Sequence, residues 1–223
     1  QHYPPDPSTT AAIMSAIAGH AAQAAEVLVL SGTAGSASAG RPEIVEVRNW
    51  MPGKAALSKR ALAELLFTVR MFFALLAKLR RGDVALTVPA PFMLPYAFAA
   101  AARLKGAKSA LIMHDLYPDV LIMAGLLKPQ SMLAKMMRAM NAWMFGALDA
   151  VVIIGRDTEK LLLRYGGMTR DKIRFGDMAR HPKTGQPFTA MVYQPMLELL
   201  AYLRANGFKT YIVSGGGIDF MRP

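Results

Sequence analysis

The chain has 223 residues, 53% of them hydrophobic, and no cysteine. That composition excludes a disordered chain, a disulfide framework, a thiolate metal centre and a cysteine nucleophile. A net charge of +11 calls for an anionic partner, whether nucleic acid, a membrane surface or a phosphorylated substrate. The sequence starts at Gln1, and its first ten residues lack the basic start and apolar core of a signal peptide, so it reads as a fragment.

Between residues 26 and 175 short β-branched runs alternate with long helical patterns. This predicts an α/β fold, a Rossmann-like parallel sheet with crossover helices. Strands are expected at 26–30, 43–47, 83–88, 109–113, 150–154 and 172–175. The clearest helix spans 55–81, where Leu57, Ala61, Leu65, Val69, Phe72, Leu76 and Leu79 recur at three- and four-residue steps. At 3.6 residues per turn, Lys59, Arg60, Glu64, Arg70, Lys78 and Arg81 gather in an arc of roughly 140° opposite that stripe. The expectation is a core-facing apolar side and a solvated basic side open to anionic lipid.

Residues 51–110 hold ten Lys or Arg against Glu64 and Asp83. No aromatic platform interleaves with the basic residues on the polar side of the helix, which argues against nucleic acid as a partner. No charge falls between Asp83 and Arg103, a gap close to the ~20 residues of a membrane span. Pro89, Pro91 and Pro95 instead predict a strand over 84–88, a turn and a helix. Met132, Met136, Met137, Met140 and Met144 mark a further helix at about 132–145, read as adaptable core packing.

After Phe175 the texture changes: 176–188 is polar and punctuated by Gly and Pro, which sets an expected boundary between domains at 1–175 and 176–223. The second part reads as a small helix-strand unit. Pro195 and the apolar Leu197, Leu200, Ala201 and Leu203 predict a helix that stops at Asn206-Gly207, followed by a strand over 208–213.

The stretch Leu111-Ile-Met-His-Asp-Leu-Tyr-Pro-Asp119 sets His114 and Asp115 where an apolar strand gives way to a loop. Ligands of open α/β sheets bind at such strand ends. Histidine can donate or accept at neutral pH, and an adjacent carboxylate favours its charged form. Taken alone, the pair also reads as a strand-end histidine satisfied by the backbone, with Asp115 capping the next helix.

Four segments point further: Tyr3-Pro-Pro-Asp-Pro-Ser-Thr-Thr10, Gly82-Asp-Val-Ala-Leu-Thr-Val-Pro-Ala-Pro91, His114-Asp-Leu-Tyr-Pro-Asp-Val120 with Ala124-Gly-Leu-Leu127, and Ala147-Leu-Asp-Ala-Val-Val-Ile-Ile-Gly155. In this order, residues 2–175 resemble the N-terminal, acceptor-side domain of family 4 glycosyltransferases, one half of a GT-B fold. The resemblance implies transfer of a sugar from a nucleotide-sugar to a lipid-linked or polysaccharide acceptor. Asp6, Ser8, Thr9 and Thr10 match the family's turn beside the donor diphosphate, with Ser8 and Thr9 where the family has glycines. Free amides at a helix start suit that task. His114 and Asp115 match the catalytic, cleft-facing pair near the reacting sugar. The basic 55–81 region would attach the protein peripherally to the inner face of the cytoplasmic membrane, which implies a cytoplasmic location. The family's second domain supplies most of the donor site and two glutamates separated by seven residues. The six glutamates here, at 26, 43, 46, 64, 159 and 198, include no two that are eight positions apart. The expectation is a domain that binds no cofactor alone, takes a nucleotide-sugar only with a donor domain, and is inactive by itself.

Residues from about 176 to 223, most clearly Tyr193 to Arg222 with Ile212-Val-Ser-Gly-Gly-Gly217 near the end, resemble the middle of a haloacid dehalogenase superfamily phosphatase. Ser214 matches that family's phosphate-binding hydroxyl, and Gly215 and Gly216 let the backbone turn in close. The resemblance implies Mg2+ in an intact phosphatase, but no Asp-x-Asp nucleophile motif occurs here, no metal ligands are assigned, and no phosphatase activity is expected. The two likenesses meet near 175/176, which reads as a fusion of two gene pieces. A third reading is a non-catalytic basic module that binds anionic membranes.

Overall fold

The computed structural model describes residues 2–50, 52, 57–153, 157–175 and 194–209. Ser8, in extended conformation, accepts from the Ala11 amide through its hydroxyl and so starts α1 (Thr9–Ala21), as short hydroxyl side chains do at helix N-termini. There follow β1 (Leu28–Ser31), β2 (Glu43–Glu46), α2 (Leu57–Lys78), β3 (Val84–Thr87), α3 (Leu94–Lys105), β4 (Lys108–Met113) and α4 (Asp119–Met123). The remainder comprises α5 (Met132–Ala147), β5 (Ala150–Ile153), α6 (Asp157–Leu162), β6 (Ile173–Phe175) and α7 (Gln194–Ala205).

All four strand pairings among the described residues are parallel, so the expected α/β class with crossover helices holds. The strands divide into two sheets, β1–β2 and β3–β4–β5–β6. Among the described residues no ladder joins β1 to β3, and each keeps an unpaired edge. In the larger sheet the register sets Ala85 opposite Ser109, Leu111 opposite Val151, Met113 opposite Ile153 and Val151 opposite Ile173. All of these are buried on one face, because side chains two apart along a strand point the same way. They share a core with Phe67, Met71 and Leu75 of α2, Phe98 and Ala99 of α3, and Met144 and Phe145 of α5. On the opposite face Val84 and Leu86 are exposed.

Between β3 and α3 the prolines act as expected: the strand stops, the chain turns, and Pro95 sits in the first turn of the helix, where its missing N–H costs nothing. Gly106, in the left-handed conformation, closes α3 with its amide donating to the Ala102 and Arg103 carbonyls. No helix among the described residues is long and apolar enough to cross a membrane.

The orientation of α2 corrects the expected one. Its buried stripe is Ala63, Phe67, Met71 and Leu75, joined by Thr68. Leu65 and Val69, assigned to the core by periodicity, are exposed, as are Leu62, Leu66 and Phe73. Phe67 and Met71 fall inside the arc that also holds Arg60 and Glu64. The helix is apolar on two sides, so periodicity offers two stripes, and packing against α3 selects the one with the larger Phe67 and Met71 side chains. Lys59, Arg60, Arg70 and Lys78 are exposed, as expected.

The end of α5 is fixed by a close backbone approach. Gly167 has φ +80, and a Cβ there would stand 2.6 Å from the Gly146 nitrogen. Lys172 Nζ donates to the Phe145 carbonyl at 2.9 Å and to the Gly146 and Gly167 carbonyls, serving the unpaired end of the helix. Farther on, α7 coincides with the helix expected after Pro195, and Gly207, at φ +80, follows its last turn. The expected boundary at 176 and positions 210–213 of the expected last strand lie outside the described residues.

Candidate functional site

β4 delivers His114 and Asp115 to its carboxyl end, where both side chains are exposed. The next residues alternate: Leu116 and Pro118 are buried, which anchors the loop and leaves the pair facing outwards. Among the described residues neither His114 nor Asp115 makes a hydrogen bond or ion pair. The next helix, α4, is preceded by Pro118 and has no side-chain cap, so Asp115 does not cap it. Partial desolvation lowers the His114 pKa from its ordinary value, and the Asp115 carboxylate opposes that shift without cancelling it. A neutral imidazole with free nitrogens therefore stands at this strand end at neutral pH.

A polar network holds the loop from behind. Asn141, buried in α5, donates through its side-chain amide to the Tyr117 carbonyl and accepts from the Tyr96 hydroxyl at 2.6 Å. The Asp119 carboxylate accepts from the Tyr165 hydroxyl and lies 3.7 Å from Arg138. Burial first, and then the bond to Asp119, push the Tyr165 phenol far up, so it stays a donor. Burial also raises the pKa of Tyr96. Phe92 meets Tyr96 and Tyr117 edge to face, with ring centroids 6.1 and 5.6 Å apart. These three rings and Asp115 line a small cavity of about 30 Å³.

Sequence reasoning missed Asn141, Asp119, Tyr165, Arg138 and Tyr96 as supports. One signal was available: Asn141 is an amide in the buried stripe Met137, Asn141, Met144 of a methionine-rich helix, and a buried amide needs partners.

The N-terminal turn forms a second group. Asp6 Oδ1 accepts from the Ser8 amide at 2.8 Å, and Asp6 Oδ2 lies 3.4 Å from His2 Nδ1. The Ser8 hydrogen bonds hold the Asp6 carboxyl below the usual carboxylate range. Tyr3, buried, donates its amide to Thr33 Oγ1 at 3.1 Å, tying this segment to the chain leaving the carboxyl end of β1. Within α1 the Thr9 and Thr10 amides are left without partners among the described residues. Asp6, Ser8, Thr9 and Thr10 are thus brought together around one helix start. No hydrogen bond among the described residues joins them to His114 or Asp115.

Ser214, Gly215 and Gly216 lie outside the described residues. Among the described residues no three His, Asp or Glu side chains converge as a set that could hold a metal ion.

No family model matches the chain. Over 109 residues it is 33% identical to Probable glycosyltransferase WbjE of Pseudomonas aeruginosa, a match covering 49% of this chain and 27% of that protein. The match thus spans about a quarter of the relative's length. This similarity, together with parallel sheets and crossover helices, supports a glycosyltransferase-like fold.

Proposed function

We propose that residues 1–175 act as the acceptor-side part of a family 4-like glycosyltransferase, which passes a sugar from a nucleotide-sugar to a lipid-linked or polysaccharide acceptor. The observation that carries this reading is the loop after β4: an exposed, unpartnered His114 with a lowered pKa, beside Asp115, on a segment that Asn141 hydrogen-bonds at Tyr117. A neutral imidazole exchanges hydrogen bonds with sugar hydroxyls in either sense, and Asp115 favours the charge it gains on taking up a proton. The aromatic edges of Phe92 and Tyr117 border the small cavity that Asp115 also lines and offer apolar area to a sugar face. The Thr9 and Thr10 amides would meet the donor diphosphate, with the Asp6 charge opposing that contact. No glutamate pair of the family's donor half is present in the 223 residues, so the chain alone binds without turnover.

The test uses the small number of histidines, four in all. Titrating imidazole-labelled protein with oligosaccharides is expected to shift the His114 resonances and to leave those of His20 in place, with no nucleotide-sugar consumed. If a broad oligosaccharide panel leaves His114 unmoved, the acceptor reading fails. Sugar transfer by the pure chain would overturn its inactivity.

A further inference from the structure

The cavity at the loop after β4 changes character from floor to mouth. Its floor is formed by Leu111 and Met113 of β4 and Phe145 of α5, all buried, and its mouth by Phe92, Tyr117 and the exposed Asp115. Tyr96 and Asn141 also line it, but their polar groups are bonded to each other, and Asn141 donates to the Tyr117 carbonyl as well. Asp115 makes no hydrogen bond or ion pair among the described residues. An apolar pocket thus opens beside a free carboxylate. Its volume of about 30 Å³ limits the guest. One water needs about 10–15 Å³ of such space and at least two polar partners, which the floor does not supply, so an apolar group of about two non-hydrogen atoms fits better. A whole sugar ring is too large, since pockets for complete small ligands start at about 300 Å³.

On the sugar reading of the His114 loop, on which this depends, we propose that the cavity takes the acetyl methyl of an N-acetylated amino sugar and that Asp115 accepts the N–H of the same acetamido group. In a planar trans amide the N–H and C=O point to opposite sides. With the methyl inwards, the N–H meets the carboxylate at the mouth and the carbonyl is left to water. A hydrogen bond to an ionised carboxylate is stronger than one between neutral groups, and burial of the methyl against Leu111, Met113 and Phe145 adds to it. A plain hydroxyl can reach Asp115 but leaves the floor empty, and a free amine does the same. A 6-deoxy methyl fills the floor but carries no adjacent N–H for the carboxylate. The acetamido group supplies both at the required spacing. His114 takes no part in this contact and stays available to the sugar hydroxyls.

The test is saturation-transfer and chemical-shift NMR of the full chain with the methyl glycosides of N-acetylglucosamine and N-acetylgalactosamine, set against those of glucose, galactose, glucosamine and a 6-deoxyhexose. The acetyl methyl is expected to receive the largest saturation of any ligand group. The N-acetylated sugars should bind about tenfold more tightly than the parent hexosides, the order expected for filling a small apolar pocket. Asp115→Ala removes the acceptor and Met113→Phe fills the floor; each should bring the two classes to parity while the hexosides still shift the His114 resonances. Should Met113→Phe lose its native circular dichroism, the exposed Asp115→Ala and the methyl saturation in the wild type decide. Equal affinity of the wild type for the amine, the 6-deoxyhexoside or the parent hexosides overturns the assignment, as does saturation strongest on ring protons or a preference that survives the folded variants. If hexosides and N-acetylated sugars shift His114 alike, the acetamido assignment alone falls. If no sugar shifts His114, the acceptor reading falls with it.

Discussion

Asp6, in the turn that opens α1, and His114, at the carboxyl end of β4, are both titratable groups, and both have lowered pKa values for opposite reasons. Hydrogen bonds from Ser8 stabilise the charged form of Asp6, so the first turn of α1 keeps an anion of its own. Desolvation penalises the charged form of His114, so the loop after β4 keeps a neutral ring. One site is electrostatically occupied and the other is left open. Local partners therefore decide the protonation state at each place.

The largest way to break the contrast is to release the open loop from its support. Asn141→Leu leaves the Tyr117 carbonyl and the Tyr96 hydroxyl without their partner, and is expected to cost about 1–3 kcal/mol in urea unfolding. It should also broaden the His114 resonances, since Tyr117 lies three residues along the loop. Unchanged stability would show that the network does not hold the loop.

A smaller effect is expected at the occupied turn. Ser8→Ala removes the acceptor of the Ala11 amide and should cost about 1 kcal/mol. Asp6→Asn should cost less, with a diagnostic pH dependence. Because the folded pKa lies below the ordinary value of 3.8, the carboxylate's contribution is complete above that value and is lost as pH falls through the folded one. Wild type and D6N should therefore converge in stability in strong acid; a constant gap would refute the assignment.

The smallest effect belongs to His114. With the folded pKa below 6.5, the unfolded chain holds the extra proton between the two values. Stability then declines as pH falls below about 6.5 and levels off under the folded pKa. His114→Gln should remove that slope, measured as the difference in urea midpoint between neutral and mildly acidic buffer. If the slopes of the two proteins match, the ring is not desolvated.

Much of the fold is legible along the chain because local chemistry announces it. The strand-turn-helix reading of the stretch after Asp83 follows from Pro89, Pro91 and Pro95, and α3 ends on Gly106 as positive φ demands. Ser8 and Ser131 cap α1 and α5 through their hydroxyls. His114 and Asp115 were visible as candidates because an apolar strand ends on them. Their supports were not visible: Tyr96 meets Asn141 across 45 residues of sequence and Tyr165 meets Asp119 across 46, each by a side-chain hydrogen bond.

By itself, the sequence determined the element types, the parallel α/β class and the strand-end position of the histidine, since these rest on periodicity, proline and glycine punctuation, and nearest neighbours. Tertiary structure alone decided which stripe of α2 is buried, how the strands divide between two sheets, and why His114 stays neutral while Asp6 stays charged. The physical reason is common to all three. Each depends on what stands across space from a residue, and packing and desolvation are set there rather than along the chain.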